Sequence, residues 1–395
     1  MKPLEGLKIV DLGSALAAPY AAMMLADLGA EVVKVEKPKR GDLIRFTDEY
    51  VGGESGYFLG VNRGKDGVTI DIRTEEGRKL ITELASSADV LIENFRSHRM
   101  SEWGLGYEQL KAVNPRLIYC SISAFGDAAG FEEEGGNDIL GQAYSGLLDI
   151  TGEANGGPSK AGTPVVDISG ANLAAIGILS ALYRRNQTGT GEHIQLSLLE
   201  AAYALMPNYL VSVLNGDPQF QRQGSGHPQL VPYQAFKAGD GKYIVIGAFH
   251  RSSWLAFCKA LGREDLTQMP QFLDNWDRVK NRQELVTLLE NELQRRSSAE
   301  WLDLFKRHRV LASPVLTMKE SFETFSKLIP GLIAESSHAK LGKLRMLRPP
   351  LRFTDSANDV PLSAAPVLGQ HTEERLAKAG HSQEEILGWQ AKGIV

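Results

Sequence analysis

A lone carboxylate, Asp167, lies between an apolar triplet and a run of small, uncharged residues. The triplet Pro164–Val166 predicts a short buried strand, and the run that follows Asp167 predicts a helix reaching Tyr183. Asp167 would then occupy a strand-to-helix junction. Two roles suit that place: an N-cap that bonds the amides near Gly170, or a reactive side chain. Taken alone, the stretch favours the cap.

A carboxylate nucleophile needs less machinery than a serine. Aspartate has a reference pKa of about 3.9, so it is ionised at neutral pH without a neighbouring base. It needs a desolvated site, a positioned electrophile and donors for the developing oxyanion. Ser169, Gly170 and the loop Gly224–Gly226 can bring backbone amides close. The sequence contains no GxxxxGKS/T, HExxH or GxSxG motif and no metal-ligand spacing among its 8 His, so no metal site is predicted.

The elements around these residues predict a parallel sheet. A strand, a turn, a helix and a second strand follow one another at Lys8–Leu12, Gly13–Pro19, Tyr20–Leu28 and Glu31–Glu36. This order is typical of a βαβ unit, although the turn lacks the GxGxxG fingerprint. A further strand, Val90–Phe95, ends in polar residues. Ligands of open α/β sheets bind beyond the carboxyl ends of the strands, so Asn94 and Arg96 are candidate ligand contacts.

The chain order predicts an α/β fold with two domains. A large Rossmann-like domain with a parallel sheet is expected over residues 1–200 and 330–395, and a smaller α+β domain over 225–325, with linkers at 201–224 and 326–329. Within these, we expect a strand at Val68–Ile72, a helix at Glu200–Leu214 and a final helix at Ser382–Gly393 that packs on the large domain. The Pro- and Gly-containing tail before that helix predicts an extended connection.

Composition narrows the class of protein. Lys plus Arg total 43 against 48 Asp plus Glu, and the net charge of −5 argues against nucleic-acid binding. The 2 cysteines, Cys120 and Cys258, lie in apolar runs and predict core residues of a reducing compartment. No uninterrupted apolar run is expected to span a bilayer, and the first residues do not resemble a signal peptide. A cytoplasmic protein without a membrane partner is therefore predicted.

Several stretches, in one order, resemble the class III coenzyme A transferases, the CaiB/BaiF family that includes formyl-CoA transferase, carnitine CoA-transferase and α-methylacyl-CoA racemase. They are Leu4–Leu12, Ala17–Pro19, Leu28–Glu36, Gly41–Asp42 with Arg45, Glu93–Arg96, Gly104–Tyr107, Asp167 with the small residues after it, and Pro366–Thr372. The likeness covers nearly the whole chain. It implies an interlocked homodimer with acyl-CoA and carboxylic acids as substrates and no tightly bound cofactor.

The resemblance also assigns residues. Asp167 falls on the family's nucleophilic aspartate, which forms an anhydride with the acyl donor and then a CoA thioester. Asp138 matches an acidic position near the nucleophile and equally suits the N-terminal turn of a helix. The loop Gly224–Ser225–Gly226–His227 matches a glycine-rich loop that covers the intermediate. The positions that match CoA contacts are Leu16, Ala17, Lys37, Ile70, Arg73, Asn94, Phe95 and Arg96.

The sequence leaves more than one reaction possible. The racemase branch uses a His-Asp pair where this chain has Asn137 and Asp138, which favours transfer over racemisation. Other stretches look most like members acting on short dicarboxylates such as succinate and glutarate, and Arg45, His227 and Gln234 are candidates for the remote carboxylate. The alternatives are an acyl-CoA isomerase or racemase and a non-catalytic CoA-binding protein.

Overall fold

The computed structural model of the protein describes residues 2–47, 50–131, 134–217, 219–354 and 362–395. These residues form strands that belong to four sheets. The strands are β1 Lys8–Asp11, β2 Glu31–Glu36, β3 Tyr50–Val51, β4 Glu54–Ser55, β5 Lys65–Thr69, β6 Val90–Glu93, β7 Ile118–Ser123, β8 Glu192–Ser197, β9 Tyr233–Lys237, β10 Tyr243–Gly247, β11 Leu311–Pro314, β12 Ile333–His338 and β13 Gly342–Leu347.

The α-helices alternate with the strands in the first half of the chain and follow them in the second. They are α1 Ala17–Asp27, α2 Gly56–Val61, α3 Glu75–Ser86, α4 Arg99–Glu102, α5 Tyr107–Val113, α6 Asp138–Tyr144, α7 Leu147–Ile150, α8 Val165–Thr188, α9 Leu198–Ala204, α10 Pro207–Asn215, α11 Arg251–Leu261, α12 Asn275–Lys280, α13 Arg282–Leu293, α14 Ser298–Arg307, α15 Met318–Leu328, α16 Thr372–Lys378 and α17 Gln383–Lys392.

The chain divides into two compact units. The large unit comprises residues Met1–Leu147, Ala161–Pro218 and Gly331–Val395, and the small unit comprises Leu148–Lys160 and Gln219–Pro330. The large unit contains a six-stranded parallel sheet in the order β5-β2-β1-β6-β7-β8. The predicted parallel sheet is therefore confirmed within a mixed α/β structure.

Alternating side chains cover the two faces of this sheet. Ile9 on β1 packs with α1 and α8, whereas Val10 packs with α3 and with Leu376 and Ile386 of the C-terminal helices. This period of two is what a strand buried on both faces requires. The expected packing of the last helix on the large domain is confirmed by Ile386. The core also contains Cys120, which is fully buried as predicted.

The βαβ unit forms with one change at its turn. Helix α1 begins at Ala17, so Ala17–Pro19 belong to the helix and not to the predicted turn. Proline is tolerated there because the first amides of a helix have no carbonyl partner within the helix. Gly29 follows the C-cap of α1 in a left-handed conformation, with φ of +108°.

Helix α8 corrects the prediction around Asp167. The apolar triplet forms no strand, because Val165 and Val166 are the first two residues of the helix and Pro164 is its N-cap. By length and composition alone, α8 could cross a membrane, which contradicts the expectation that no apolar run is long enough. Its residues Ala171, Ala174 and Ile178 are buried in the core against the sheet, as expected of the central helix of a globular unit.

Other boundaries moved for local reasons. The predicted strand at 68–72 lies at Lys65–Thr69, so Ile70 follows it. The predicted helix at 200–214 is two helices, because Pro207 starts a new one. The tail contains the antiparallel hairpin β12–β13 instead of a purely extended connection. The small unit has an antiparallel sheet in the order β11-β10-β9, packed on helices around buried Trp254.

Candidate active site

Asp167 is the third residue of α8 and is partly buried. It is not an N-cap, because the helix already begins at Val165. The amides of Val166 and Asp167 both donate to Oδ1 of Asp138, at 2.8 and 3.2 Å. Asp138 therefore caps α8 from 28 residues away, and the side chain of Asp167 is left without a hydrogen-bond partner among the described residues.

The amides of this turn are not open to an oxyanion. Val165 N–H donates to the Thr163 carbonyl and Ile168 N–H to the Pro164 carbonyl. Ser169 and Gly170 lie further into α8, where amides donate to carbonyls one turn back. The expectation that Ser169 or Gly170 supplies an oxyanion donor is therefore wrong for this conformation.

The buried side chain of Gln142 orients Asp138. Asp138 is the first residue of α6, and its Oδ2 accepts from Nε2 of Gln142 at 2.5 Å. The Oε1 of Gln142 in turn accepts from the Ala161 amide at 2.9 Å. Asn137 caps α6 through its side chain, which accepts from Leu140 N–H. Sequence reasoning missed Gln142, although its i,i+4 spacing from Asp138 on a helix was a usable signal.

The environment of Asp167 changes its acidity. Burial, and secondly the nearby carboxylate of Asp138, raise the pKa of Asp167 to about 7. The sequence-based expectation of a fully ionised aspartate at neutral pH is therefore wrong. Near pH 7 the protonated and ionised forms are both populated. A perturbed carboxylate with no hydrogen-bond partner in the described structure is the kind of group that an enzyme uses as a nucleophile.

A pH profile tests this assignment. Because only the ionised carboxylate attacks, kcat/KM is expected to rise with pH and level off above about 7. In Asp138→Asn, loss of the like charge should move this limb to lower pH. Burial remains, so the limb should stay above the usual aspartate range. The exposed Asp303→Asn is the matched control, and a limb that stays in place in Asp138→Asn would contradict the coupling.

The first βα turn is fixed by polar contacts from two sides. The carboxamide of Asn94 accepts from Ser14 N–H and donates to the Ser14 carbonyl, both at 2.8 Å. Oδ1 of Asp42 accepts from the Ser14 hydroxyl and from Ala15 N–H. These contacts support Ala15 in a left-handed conformation, with φ of +62°. Asn94, predicted as a ligand contact, thus uses its side chain to hold the turn.

Four predicted CoA contacts line one cavity. A cavity of about 230 Å³ at the carboxyl ends of β1 and β2 includes Lys37, Ile70, Arg73 and Phe95 in its wall. Lys37 and Arg73 are exposed cations, while Ile70 is buried and Phe95 lies edge-on to Trp103. Two cations beside apolar surface suit a ligand that carries both phosphates and an apolar part.

The other residues predicted to contact CoA differ in how much of their surface a ligand can reach. Leu16 and Ala17 are buried, so only their backbone can meet a ligand. Leu16 provides no side-chain cap to α1, and the Ala17 amide has no acceptor among the described residues. Arg96 is exposed, and its guanidinium makes no hydrogen bond or ion pair to a described residue. It lies against Gly135, where an added Cβ would be 3.5 Å from a guanidinium nitrogen.

The glycine loop belongs to the small unit. Gly224 has φ of +60° and its amide donates to the Gly152 carbonyl. The Ser225 hydroxyl accepts from Ala235 N–H, and Gly226 N–H donates to the Gln223 carbonyl. Nδ1 of His227 accepts from Gln229 N–H, and burial lowers the pKa of this histidine. The loop is thus held within its unit by backbone and side-chain hydrogen bonds.

Arg45, predicted to contact the substrate, forms its contacts with other residues of the large unit. Arg45 forms a bidentate pair with Glu36, at 2.8 and 2.6 Å, and also donates to the Pro366 carbonyl. Its guanidinium lies 3.5 Å from the centre of the Phe58 ring. The Nε and Nη2 donors that would bind a substrate carboxylate in bidentate fashion are therefore already bound to Glu36, which argues against Arg45 as a substrate contact.

Comparisons with known proteins define the class. The sequence model of CoA-transferase family III matches residues 4–372. Succinyl-CoA:glutarate CoA-transferase of Homo sapiens is 37% identical over 98% of this chain and 88% of that protein. Succinyl-CoA:mesaconate CoA-transferase of Haloarcula marismortui is 36% identical over 96% of this chain and 97% of that protein. A CaiB/BaiF family protein from Brucella suis has a crystal structure that superposes with a TM-score of 0.83, at 35% identity over 96% of this chain and 99% of that one.

The chain therefore belongs to CoA-transferase family III, which confirms the resemblance. It is a CoA-transferase, and its relatives include transferases named for short dicarboxylates.

Proposed function

We propose that this enzyme transfers CoA between short dicarboxylic acids of the succinate and glutarate type, with Asp167 as the nucleophile. The observation that carries the proposal is the partly buried Asp167 carboxylate, whose pKa is raised to about 7 and whose helix turn is capped by a different residue. The named substrates of the relatives support the choice of acids.

The proposed reaction needs no redox step. The Asp167 carboxylate attacks the thioester carbonyl of the donor, giving an aspartyl-acyl anhydride and CoA thiolate. The thiolate attacks the aspartyl carbonyl, which forms an aspartyl-CoA thioester and releases the donor acid. The acceptor carboxylate then attacks this thioester, and the released thiolate attacks the acceptor's carbonyl. The new acyl-CoA leaves, and Asp167 is free again.

The CoA site is proposed at the carboxyl ends of the strands. Lys37 and Arg73 would neutralise phosphates beside Ile70, and Phe95 would pack against the apolar part of CoA. Arg73 is paired with Asp71, so it would have to share its guanidinium with the ligand. The family resemblance supports further contacts with Asn94, Arg96 and the backbone of Leu16 and Ala17.

The oligomeric state and the cellular location of the enzyme are also proposals. A homodimer is supported by apolar side chains left exposed on the large unit, among them Ile176 and Tyr183 on α8 and Val211 and Leu214 on α10, at 60%, 70%, 61% and 80% exposure. A cytoplasmic location is supported by the two buried free cysteines. The loop Gly224–His227 is proposed to cover the intermediate, with His227 and Gln234 as candidates for the remote carboxylate.

A matrix of acyl-CoA donors against mono- and dicarboxylic acids tests the function. We expect exchange with succinyl-CoA and C4–C5 dicarboxylates, at a kcat/KM at least tenfold above that for monocarboxylates of equal length, roughly one lost charge-assisted contact. Deuterium entering the α-carbon of a 2-methylacyl-CoA without exchange would instead favour an isomerase or racemase. Tight CoA binding with no turnover of any pair would favour a non-catalytic protein.

A further inference from the structure

Glu93 ends β6 immediately before the proposed CoA-contact segment Asn94–Arg96. It lies in the wall of a cavity of about 610 Å³ beyond the carboxyl ends of β6, β7 and β8. Only 6% of Glu93 is exposed, and no cation pairs with it among the described residues. A buried acid without an ion partner is costly, so the groups that surround the Glu93 carboxyl group must stabilise it.

The carboxyl group of Glu93 lies between the segment and the sheet. Its Oε2 accepts from the Phe95 amide at 2.8 Å. Ser121 is the register partner of Glu93 on the neighbouring strand, and its hydroxyl lowers the pKa of this carboxyl group. Ser121 Oγ is also 3.0 Å from Nε2 of His193 on β8. If His193 donates to Ser121, the hydroxyl is free to donate to Glu93, and both donors then favour an ionised carboxylate.

We propose that Glu93 is a positioning residue for CoA binding: its ionised carboxylate fixes the Phe95 backbone, and with it the segment Asn94–Arg96, in the conformation that receives CoA. The proposal rests on the proposed function, because the CoA contacts of Phe95 and Arg96 belong to that function. Glu93 makes no hydrogen bond to Asp167 in the described structure.

The pKa of Glu93 makes the proposal testable by measuring CoA binding at different pH values. Burial raises its pKa to about 7, although its bonds to Ser121 and Phe95 oppose the shift. The carboxylate therefore forms as pH rises through about 7, and it accepts the Phe95 amide more strongly than a neutral carboxyl does. The other titratable or charged groups against Glu93 or in the cavity wall are Tyr107, Tyr119, Cys120, Arg96, His98, Asp127, His193 and Glu200. Burial lowers the pKa of His193.

The test compares CoA affinity in wild type and Glu93→Gln by titration calorimetry from pH 5.5 to 8. Because glutamine stays neutral, the variant should bind CoA about fivefold more weakly at pH 8, the difference between a charged and a neutral acceptor. At pH 5.5 the two proteins should bind equally. The ratio at each pH removes the titration of CoA and of Asp167, which both proteins share. In steady-state kinetics the variant should raise KM and leave kcat unchanged.

Two further variants separate positioning from a structural role. Ser121→Ala removes a hydroxyl that lowers the pKa of Glu93, so the pH above which wild type binds CoA more tightly than Glu93→Gln should be higher in the Ser121→Ala background. The exposed Glu290→Gln is the matched control and should bind like wild type at every pH. An affinity ratio that does not change with pH, or equal binding at pH 8, would overturn the proposal. CoA binding without any transfer would overturn the proposed function alone, and no CoA binding by the wild type would overturn both.

Discussion

Asp167→Ala is expected to abolish CoA transfer, with kcat reduced by at least about ten-thousandfold, while CoA still binds. The reason is that the substitution removes the carboxyl group, whose oxygen forms the anhydride and whose carbon forms the thioester. It should not disturb the fold, because the first turn of α8 is capped by Asp138 and not by Asp167. Steady-state exchange and CoA titration calorimetry on the same preparation measure the two effects.

A trapping experiment identifies the intermediate directly. Wild type incubated with donor acyl-CoA alone and then with hydroxylamine or borohydride should carry a modification at Asp167, located by peptide mass spectrometry. Asp167→Ala should remain unmodified. The exposed Asp303→Ala, whose partner Arg307 lies one turn along α14, should keep full activity. Full transfer by Asp167→Ala, or a modification located elsewhere, would refute the assignment of the nucleophile.

Lys34→Ala is expected to destabilise the large unit by about 3–5 kcal/mol, the cost of leaving buried charge uncompensated. Lys34 is fully buried, with Nζ 3.2 Å from Asp42 and 3.9 Å from Asp11, and it donates to the Gly13 carbonyl at 2.7 Å. Burial opposes its charge, yet the adjacent carboxylates keep its pKa above the ordinary value. The substitution leaves Lys65 to face both acids alone.

Hydrogen-exchange mass spectrometry can localise this loss to β1, β2 and the turn between β1 and α1. CoA affinity should fall with it, because Asp42 also fixes Ser14 and Ala15. Lys79→Ala provides the control, since Lys79 pairs with Glu75 on the exposed side of α3 and its loss should leave the free energy of unfolding close to that of wild type. If hydrogen-exchange protection of β1 in Lys34→Ala equals that of wild type, the prediction is wrong. The charges of Asp11 and Asp42 would then be balanced without Lys34.

Local sequence patterns predicted much of the parallel sheet. They failed for elements whose conformation depends on contacts between residues that are distant in the sequence. Helix α3 begins after Thr74, whose hydroxyl accepts from Gly77, a cap that can be read from four consecutive residues. The start of α8 could not be read in this way. An apolar triplet suits a strand or a buried helix equally, and the carboxylate that selects the helix comes from Asp138.

The candidate site shows the same division. Arg45 is a plausible substrate contact by residue type, but Glu36 and Phe58 occupy it in the folded chain. The sequence assigned no role to Glu93, and for Gln142 it offered only the i,i+4 spacing from Asp138, because the importance of both residues depends on burial and on hydrogen bonds formed in the folded chain.

The sequence by itself determined the βαβ order, the family and the identity of Asp167 as the residue to test. The βαβ order follows from residue types and periodicity, whereas the family and the choice of Asp167 follow from the resemblance of several ordered stretches to a known family. The tertiary structure alone decided that Asp167 lies within a helix turn capped by Asp138, has no hydrogen-bond partner among the described residues and is only partly ionised at neutral pH. Burial and the approach of a second carboxylate set that acidity, and both arise only when distant segments pack together.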